Sequence, residues 1–385
     1  MEKIPLIKHD QDMIKIGITG QSGFIGSHLY NYLGLKKDIT RIPFEDDFFS
    51  SVTKLKGFVR QCDAIVHLAA MNRHEDEQVL YKTNIELVKK LIQACEETGS
   101  ASHILFASSI QEEKDNIYGR SKREGRILFE EWARKNNTRF TGMIIPNVFG
   151  PFGQPFYNSV VATFCYQLTH HETPEIIVDG NLKLIYINEL VEEICRQIIA
   201  SPNEDPISRY SVPYSYENKV SYILSILTEY KETYLRKGTI PPLSTPFEIA
   251  LFNTFRCYIP ETHYPLVYSK HDDERGSFVE ILKTNTPGQF SFSTTRPGIT
   301  RGNHFHIRKL ERFAVIRGRA IIQLRRIGTD RIIEYPVDGK KPSFIDIPVW
   351  HTHHITNTGN DELLTLFWTN EFYNPEDTDT YFEMV

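Results

Sequence analysis

Ile14–Gly26 reads IKIGITGQSGFIG, and this stretch decides the fold of the first part of the chain. It opens with Ile14, Ile16 and Ile18 alternating as on a strand, turns at Thr19-Gly20, and reaches Gly23 and Gly26 at three-residue spacing. His28-Leu29-Tyr30 then continue as a helix to about Leu33. A strand, a glycine-rich turn and a helix in that order form a phosphate cradle. A side chain on Gly20 or Gly23 would hold the backbone off a pyrophosphate, and the third glycine lets the helix pack close to the strand. The spacing marks Gly20, Ser22, Gly23, Phe24, Ile25 and Gly26 as cofactor-binding positions.

Working outward, Ile39–Phe44 is expected as a second strand, followed by Glu45 and Asp46. An acid there would grip the ribose of NAD, whereas Arg41 would pair with the additional phosphate of NADP; the reading leans towards NADP. Asp63–Ala70 (DAIVHLAA) is a buried strand whose small end, Leu68, Ala69 and Ala70, admits a ligand to the backbone. Asn84 opens a helix with apolar residues at 85, 87, 88, 91, 92 and 95, one face at helical period. His103–Ser109 is the next strand, and the alternation implies a parallel sheet with right-handed crossovers, an α/β doubly wound fold.

Ser108 and Ser109 stand at a strand end, and Tyr118 and Lys122 follow at i, i+4 in YGRSK, on one face of a helix. A lysine ammonium beside a phenol favours the phenolate, so Tyr118 can exchange a proton with a carbonyl oxygen near neutral pH while a serine hydroxyl holds that oxygen. TGQSGFIG, HLAA, FASS and YGRSK resemble the extended short-chain dehydrogenase/reductases, and PNVFGP at 146–151 and the block at 176–194 resemble that family's substrate-side half. The resemblance makes Ser109, Tyr118 and Lys122 catalytic, with Lys122 also on the cofactor. Only eight residues separate Ser109 from Tyr118, fewer than in sugar epimerases of this fold, and KLIYINEL lacks that block's usual acidic residues.

The proline-rich stretch 238–247 (GTIPPLSTPF) marks a linker, running to about 260. From Leu266 short alternating strands with glycine turns predict an all-β barrel or sandwich. The chain is thus expected to divide into an extension at 1–13, a reductase domain at 14–260 and a β domain at 261–385. Within the last, Gly298, His304, His306, Glu311 and Gly318 have the spacing of the first cupin motif, G(x5)HxH(x4)E(x6)G. His304 and His306, two apart on a strand, point the same way into the barrel. In the second motif Pro348, a histidine and Asn357 are in place, with Trp350 where glycine is usual. His351 and His353 share a face there, and His353 is favoured by its distance from Pro348 and Asn357. Three imidazoles and a carboxylate suit Zn2+ or another divalent first-row metal, so the expected ligands are His304, His306, Glu311 and His353.

DERGSFVE at 273–280, Gln289 and RGNH at 301–304 resemble the nucleotide-sugar 3,5-epimerases of the rhamnose pathway, which are also cupins. That likeness implies that Arg275, Glu280, Gln289 and Arg301 hold the nucleotide and sugar. The histidine that is a base in those epimerases is here His304, an expected ligand, so another group must take the proton. Nearly end to end, HLAAMNRHE, SSIQEEKDNIYGRSK, IIPNVFGPF, DDERGSFVE, PGITRGNHFH and the terminal DTYF resemble the bifunctional capsular-polysaccharide enzymes of the CapF type. Membership implies NADPH, zinc, a homodimer and a UDP-linked 4-keto-6-deoxy-N-acetylhexosamine. Its C3 would be epimerised by the cupin and its C4 ketone reduced by the first domain, giving a UDP-N-acetyl-6-deoxy-talosamine precursor of UDP-N-acetyl-L-fucosamine. Asn72, Arg73 and Asn147 become substrate-side residues in that light. The rival readings keep the reductase but make the cupin a different isomerase, an iron oxygenase or a non-catalytic sugar-binding module, or make the chain a sensor with vestigial sites.

Composition agrees with a cytoplasmic enzyme: 385 residues, 40% hydrophobic and 24% charged, with a formal net charge of -5 that offers no basic surface to nucleic acid. No stretch is apolar enough to cross a bilayer, and residues 1–13 lack the apolar centre of a signal peptide. Five cysteines without a CxxC pair read as reduced core residues.

Overall fold

The computed structural model describes residues 13–200 and 205–385; all but Met13 of the extension expected at 1–13 lies outside them. Contacts divide the chain into two compact units, Met1–Val148 with Ile187–Ser215, and Phe149–Tyr186 with Tyr216–Val385.

The first unit is a β/α alternation: β1 (Ile14–Thr19), α1 (Phe24–Leu33), β2 (Ile39–Ile42), α2 (Val52–Val59), β3 (Ala64–His67), α3 (Glu77–Thr98), β4 (His103–Ser109), α4 (Ile117–Asn136) and β5 (Phe140–Ile145). After β6 (Asn147–Phe149), α5 (Val160–Thr169) and β7 (Asn181–Tyr186), the chain returns to the first unit with α6 (Ile187–Ile199) and β8 (Ile207–Ser211). The sheet order is β2-β1-β3-β4-β5-β8, every pairing parallel. The reversal of order beside β1 is the switch point at which such sheets bind ligands. One face of the sheet is covered by α2, α3 and α4, whose Phe58, Val88, Leu91, Phe129 and Trp132 pack on Ile65, Ile104, Phe106 and Phe140.

Three elements differ from their sequence reading, the first being β2, which stops at Ile42 instead of running to Phe44. Helix α3 begins at Glu77, capped by the Asp76 side chain accepting from Gln78 N, so Asn84 lies inside it. Asn84 is buried and spends its amide on other segments, donating to Met71 O and Ser121 Oγ and accepting from Met71 N. Strand β3 stops at His67, and Leu68–Ala70 leave the sheet because Ala69 must pass beside the glycine turn.

The second unit continues with β9 (Tyr216–Lys219), α7 (Val220–Tyr230) and α8 (Pro246–Arg256), the last opened by a Thr245/Glu248 capping box. Then come β10 (Leu266–Val267), β11 (Lys270–Asp273), β12 (Gly276–Val279), β13 (Gln289–Thr295), β14 (Thr300–Phe305), β15 (Glu311–Arg317), β16 (Arg319–Arg326), β17 (Ile332–Asp338), β18 (Ser343–Ile347), β19 (His351–Asn357), β20 (Leu363–Thr369) and β21 (Tyr381–Phe382). These form two five-stranded antiparallel sheets, β10-β18-β15-β20-β13 and β17-β16-β19-β14-β21, and a separate β11-β12 hairpin. The five-stranded sheets share one core, Phe313, Val315, Ile345 and Ile347 from the first meeting Ile322, Leu324, Val337 and Ile355 from the second.

The proline-rich stretch is fastened to the connection between β12 and β13 and to β15. Ile240 N donates to Lys283 O, Thr286 Oγ1 donates to Pro241 O, and Arg312 Nη1 donates to Gly238 O. Arg312 also pairs with the buried Asp346 at 2.7 Å, and Tyr234 OH donates to the same carboxylate. Both charges are about 3% exposed, and their mutual hydrogen bonds are what make such burial tolerable.

Candidate functional site

In the first unit the glycine turn is shaped by backbone. Gly20 has φ of 70°, and a Cβ on it would lie 2.8 Å from Ala69 N, while one on Gly26 would lie 2.2 Å from Gly20 O. Only glycine therefore closes this turn against the end of β3. Gly23 caps α1 without any side-chain bond, so the first amides of that helix, which have no carbonyl partner within it, face the exposed turn at Ser22 and Gly23. This is the cradle that a dinucleotide pyrophosphate requires, and the residues fit such a cofactor. Thr19 Oγ1 is 2.7 Å from His67 Nδ1 and accepts from Ala69 N, tying β1 to the β3 end. Burial pushes the His67 imidazole down to about 3, so it stays neutral.

The ribose end is arranged otherwise than the spacing suggests. Arg41 turns back on α1, its Nη1 donating to Tyr30 O at 2.9 Å and its guanidinium lying 4.3 Å from the Tyr30 ring. Asp46 sits beside the glycine turn, accepting from Ser22 Oγ at 3.1 Å. Leu68, Ala69 and Ala70 are half-buried, as are Phe24 and Ile25.

Ser109 ends β4, with its Oγ accepting from Gln111 N at 3.2 Å, and Tyr118 and Lys122 lie in the first turns of α4. The Asn116 side chain caps that helix through Gly119 N. Gly119 is required there, because a Cβ would meet Gln111 O at 1.9 Å. Lys122 is buried; its Nζ donates to Ala107 O at 2.9 Å and lies 5.7 Å from the Tyr118 ring centroid. Burial lowers its ammonium to about 8, opposed by the charge of Glu112. A partly desolvated ammonium beside a phenol is the arrangement that eases proton transfer through the tyrosine.

Beneath these groups lies a network that spacing did not disclose. Glu112, in the loop joining β4 to α4, accepts from Ser108 Oγ and from Arg126 Nε and Nη2. Arg126 also pairs with Glu130 at 2.5 Å, and Glu130 with Arg209 at 3.1 Å. The one hint in the sequence is that EE interrupts the segment between Ser109 and Tyr118. Of the substrate-side candidates here, Asn72 is half-buried after β3, and Arg73 and Asn147 are exposed.

In the second unit His304, His306, Glu311 and His353 converge, with one ligand atom from each within 4.8 Å of all the others. His306 Nδ1 donates to Asp379 O and His353 Nδ1 to His351 O, so both rings present Nε2 inward, 3.3 Å and 3.0 Å from Glu311 Oε2. Burial acts against ionisation of Glu311, but hydrogen bonds from His306 and His353 outweigh it and hold the carboxyl well below its usual range. Burial and the neighbouring His353 push His304 down to about 4. Three imidazoles and one carboxylate at this separation are a donor set into which a four-coordinate divalent ion fits. His351 is buried outside the cluster, its Nδ1 bonded to Val349 O and its ring 5.9 Å from Phe152.

Two of the remaining candidates pair with neighbours of their own. Arg275 is 90% exposed and pairs with Asp273 within the β11-β12 hairpin, and Glu280 pairs with Lys283. Arg301 is exposed on β14. Gln289 is nearer in kind: it lies in register with Thr369, which lies in register with Glu311, so the three side chains share one face of the sheet.

Residues 16–210 match the NAD dependent epimerase/dehydratase family, and residues 271–381 match the polysaccharide biosynthesis C-terminal domain. A UDP-2-acetamido-2,6-beta-L-arabino-hexul-4-ose reductase of Pseudomonas aeruginosa is 35% identical over 371 residues, covering 96% of this chain and 98% of that protein. The crystal structure of the capsular polysaccharide assembling protein CapF from Staphylococcus aureus is similar with a TM-score of 0.61 and 34% identity, over 97% of this chain and 100% of that one. RMD from Pseudomonas aeruginosa, in complex with NADPH, shares the fold over 57% of this chain and 82% of its own, with a TM-score of 0.51 and 21% identity. The chain belongs to the NAD dependent epimerase/dehydratase family and, across 97% of its length, to the CapF type of capsular-polysaccharide proteins.

Proposed function

We propose that the chain carries out two consecutive steps on a UDP-linked 4-keto-6-deoxy-N-acetylhexosamine. A cupin module, residues 261–385, inverts C3, and a reductase module, residues 14–260, then reduces the C4 ketone to give a UDP-N-acetyl-6-deoxy-talosamine. The observation that carries this reading is the end-to-end identity with a reductase named for a UDP-2-acetamido-hexul-4-ose. The same reading takes NADPH and Zn2+, or another divalent first-row ion, as cofactors, a homodimer as the assembly and the cytoplasm as the location.

The order of steps follows from carbonyl chemistry. A ketone at C4 acidifies the hydrogen on C3 and stores the charge as an enolate; once the ketone is reduced that acidity is gone, so inversion precedes reduction. In the reductase, bound NADPH supplies the hydride. Ser109 Oγ holds the C4 oxygen, Tyr118 passes its phenolic proton to that oxygen, and Lys122 stabilises the phenolate left behind. Thr19 and His67 fix the turn that carries the pyrophosphate. In the β module a divalent ion held by His304, His306, Glu311 and His353 would supply a Lewis acid. Gln289, on the same sheet face as Glu311, would orient the sugar.

The name of the relative covers only the reduction, which favours one second reading: a C4 reductase whose β module is another isomerase or a non-catalytic sugar-binding module. Proton NMR of the 4-keto sugar nucleotide in heavy water, with the protein and without NADPH, separates the two. Deuterium entering at C3, with the ketone lost only after NADPH is added, is expected. Direct NADPH oxidation without exchange at C3 would refute the two-step proposal in favour of the second reading.

A further inference from the structure

The C-terminal DTYF, singled out in the sequence, has a role beyond the two steps above. Asp379 is 3% exposed and holds a left-handed φ of 42°. Its Oδ1 accepts from Ile307 N at 3.1 Å, and its Oδ2 accepts from Arg308 N at 3.1 Å and Lys309 N at 2.9 Å. Three successive amides thus wrap one carboxylate, immediately after His306. From that anchored position the Asp379 carbonyl accepts a hydrogen bond from His306 Nδ1.

The same segment reaches the other ligand-bearing strands. Tyr381 and Phe382 pair with Phe305 and His304 on β14, Glu383 N donates to Asn303 O, and Thr352 Oγ1, next to His353, donates to Glu383 O. Lys309 Nζ adds a bond to Thr378 O, and Arg308 pairs with Asp377 at 2.8 Å.

We infer that Asp379 is a positioning residue for the four-ligand cluster: its carboxylate pins the C-terminal segment to the turn after His306, and its carbonyl fixes the His306 tautomer that presents Nε2 to a divalent ion. The inference rests on the reading of this cluster as a metal site. An imidazole can present Nε2 as a ligand only when Nδ1 carries the proton, and a fixed carbonyl acceptor removes the competing tautomer. The three amides call for a carboxylate at position 379: asparagine keeps one acceptor oxygen for Arg308 and Lys309 but turns its NH2 towards Ile307 N, and alanine offers nothing to any of them. The left-handed backbone there is one that asparagine adopts readily.

The test uses the full-length protein and the variants Asp379→Ala and Asp379→Asn. In the metal-free state at alkaline pH, where the ring is neutral, nitrogen shifts of the histidine rings are expected to show His306 as the Nδ1-protonated tautomer in wild type and Asp379→Asn, and as a tautomer mixture in Asp379→Ala. Titration with Zn2+ and Co2+ is expected to show affinity about 10–100-fold weaker in Asp379→Ala, with Asp379→Asn, which keeps one of the two acceptor oxygens, between it and wild type. Melting of each metal-free protein controls for loss of fold, since a general collapse would shift all histidine signals and not that of His306 alone. An unchanged His306 tautomer and equal affinity in Asp379→Ala would overturn the role of Asp379. Failure of wild type to hold either ion would instead overturn the metal centre, and the positioning role with it.

Discussion

Replacing Glu112 by alanine tests whether the buried network under Ser109 and Tyr118 holds the reductase site together. The carboxylate and the Arg126 guanidinium have side chains only 8% and 4% exposed, joined at 2.8 Å through Nη2 and at 3.0 Å through Nε. Removing one partner of a buried pair costs about 3–5 kcal/mol, because the other charge is left uncompensated. Arg126 keeps Glu130 at 2.5 Å, which places the expected cost at the lower end, about 3 kcal/mol. For a unit of this size that corresponds to a fall of about 6–12 °C in its melting temperature. Since the Glu112 loop joins Ser109 to Tyr118, displacement of the loop by about 1 Å should also lower the reductase kcat/KM by up to about 100-fold. Glu112→Gln retains an acceptor and should lose about half as much stability, in keeping with the weaker bond to a neutral group. Calorimetry and NADPH oxidation on the same samples supply both readouts. A melting temperature within 2 °C of wild type, with unchanged kcat/KM, would refute the reasoning. Recovery of stability when Glu112→Met, Arg126→Met and Glu130→Met are combined would support it, because apolar replacement of all three leaves no stranded buried charge, Arg209 being largely exposed.

Three further outcomes follow from the same geometry. Tyr118→Phe should lower NADPH oxidation by about 100-fold or more while leaving deuterium exchange at C3 intact, measured by absorbance and by NMR. The kcat/KM for NADPH oxidation should fall as pH rises through about 8, because Lys122 loses its proton there; in Glu112→Gln this limb should move to lower pH, since the Glu112 charge supports the protonated form. Gly20→Ala should weaken NADPH binding at least about tenfold by fluorescence titration, since a left-handed alanine costs about 1–2 kcal/mol and its Cβ overlaps Ala69.

What was legible in the sequence was local geometry. A glycine triplet fixes a turn, Tyr118 and Lys122 at i, i+4 fix a helix face, and His304 and His306 at i, i+2 fix a strand face; in each the spacing contains the distance. What was not legible depends on partners far along the chain or on the direction of a long side chain. Glu112 meets Arg126 across 14 residues and His306 meets Asp379 across 73, and neither separation has a periodicity to betray it. Arg41 stands at the right distance from the glycine turn for a phosphate, yet its guanidinium has a carbonyl and a ring on Tyr30 within reach and spends itself there. Position 84 matched the helical period but not the helix start, because periodicity finds a face and caps find an end.

The departure at Trp350 shows how a motif can lose a residue and keep its geometry. Glycine is usual there because the chain must turn sharply into the strand that carries the histidine. Trp350 holds that turn at φ of 59°, a left-handed conformation that costs a side-chain-bearing residue about 1–2 kcal/mol. Its amide donates to His306 O at 2.8 Å, and its indole is buried and stacked 5.7 Å from Phe305, burial that offsets strain of that size. A second distortion, the irregular register between Gly302 and His304 with Asn303 at φ of 61°, brings His304 opposite His353. Two left-handed residues thus stand immediately before strand histidines, Asn303 before His304 and Trp350 before His351, and of the two only Trp350 is strained, since asparagine adopts this backbone readily. Both distortions set where β14 and β19 deliver their imidazoles, which is the pattern expected where backbone strain serves a site rather than a fold.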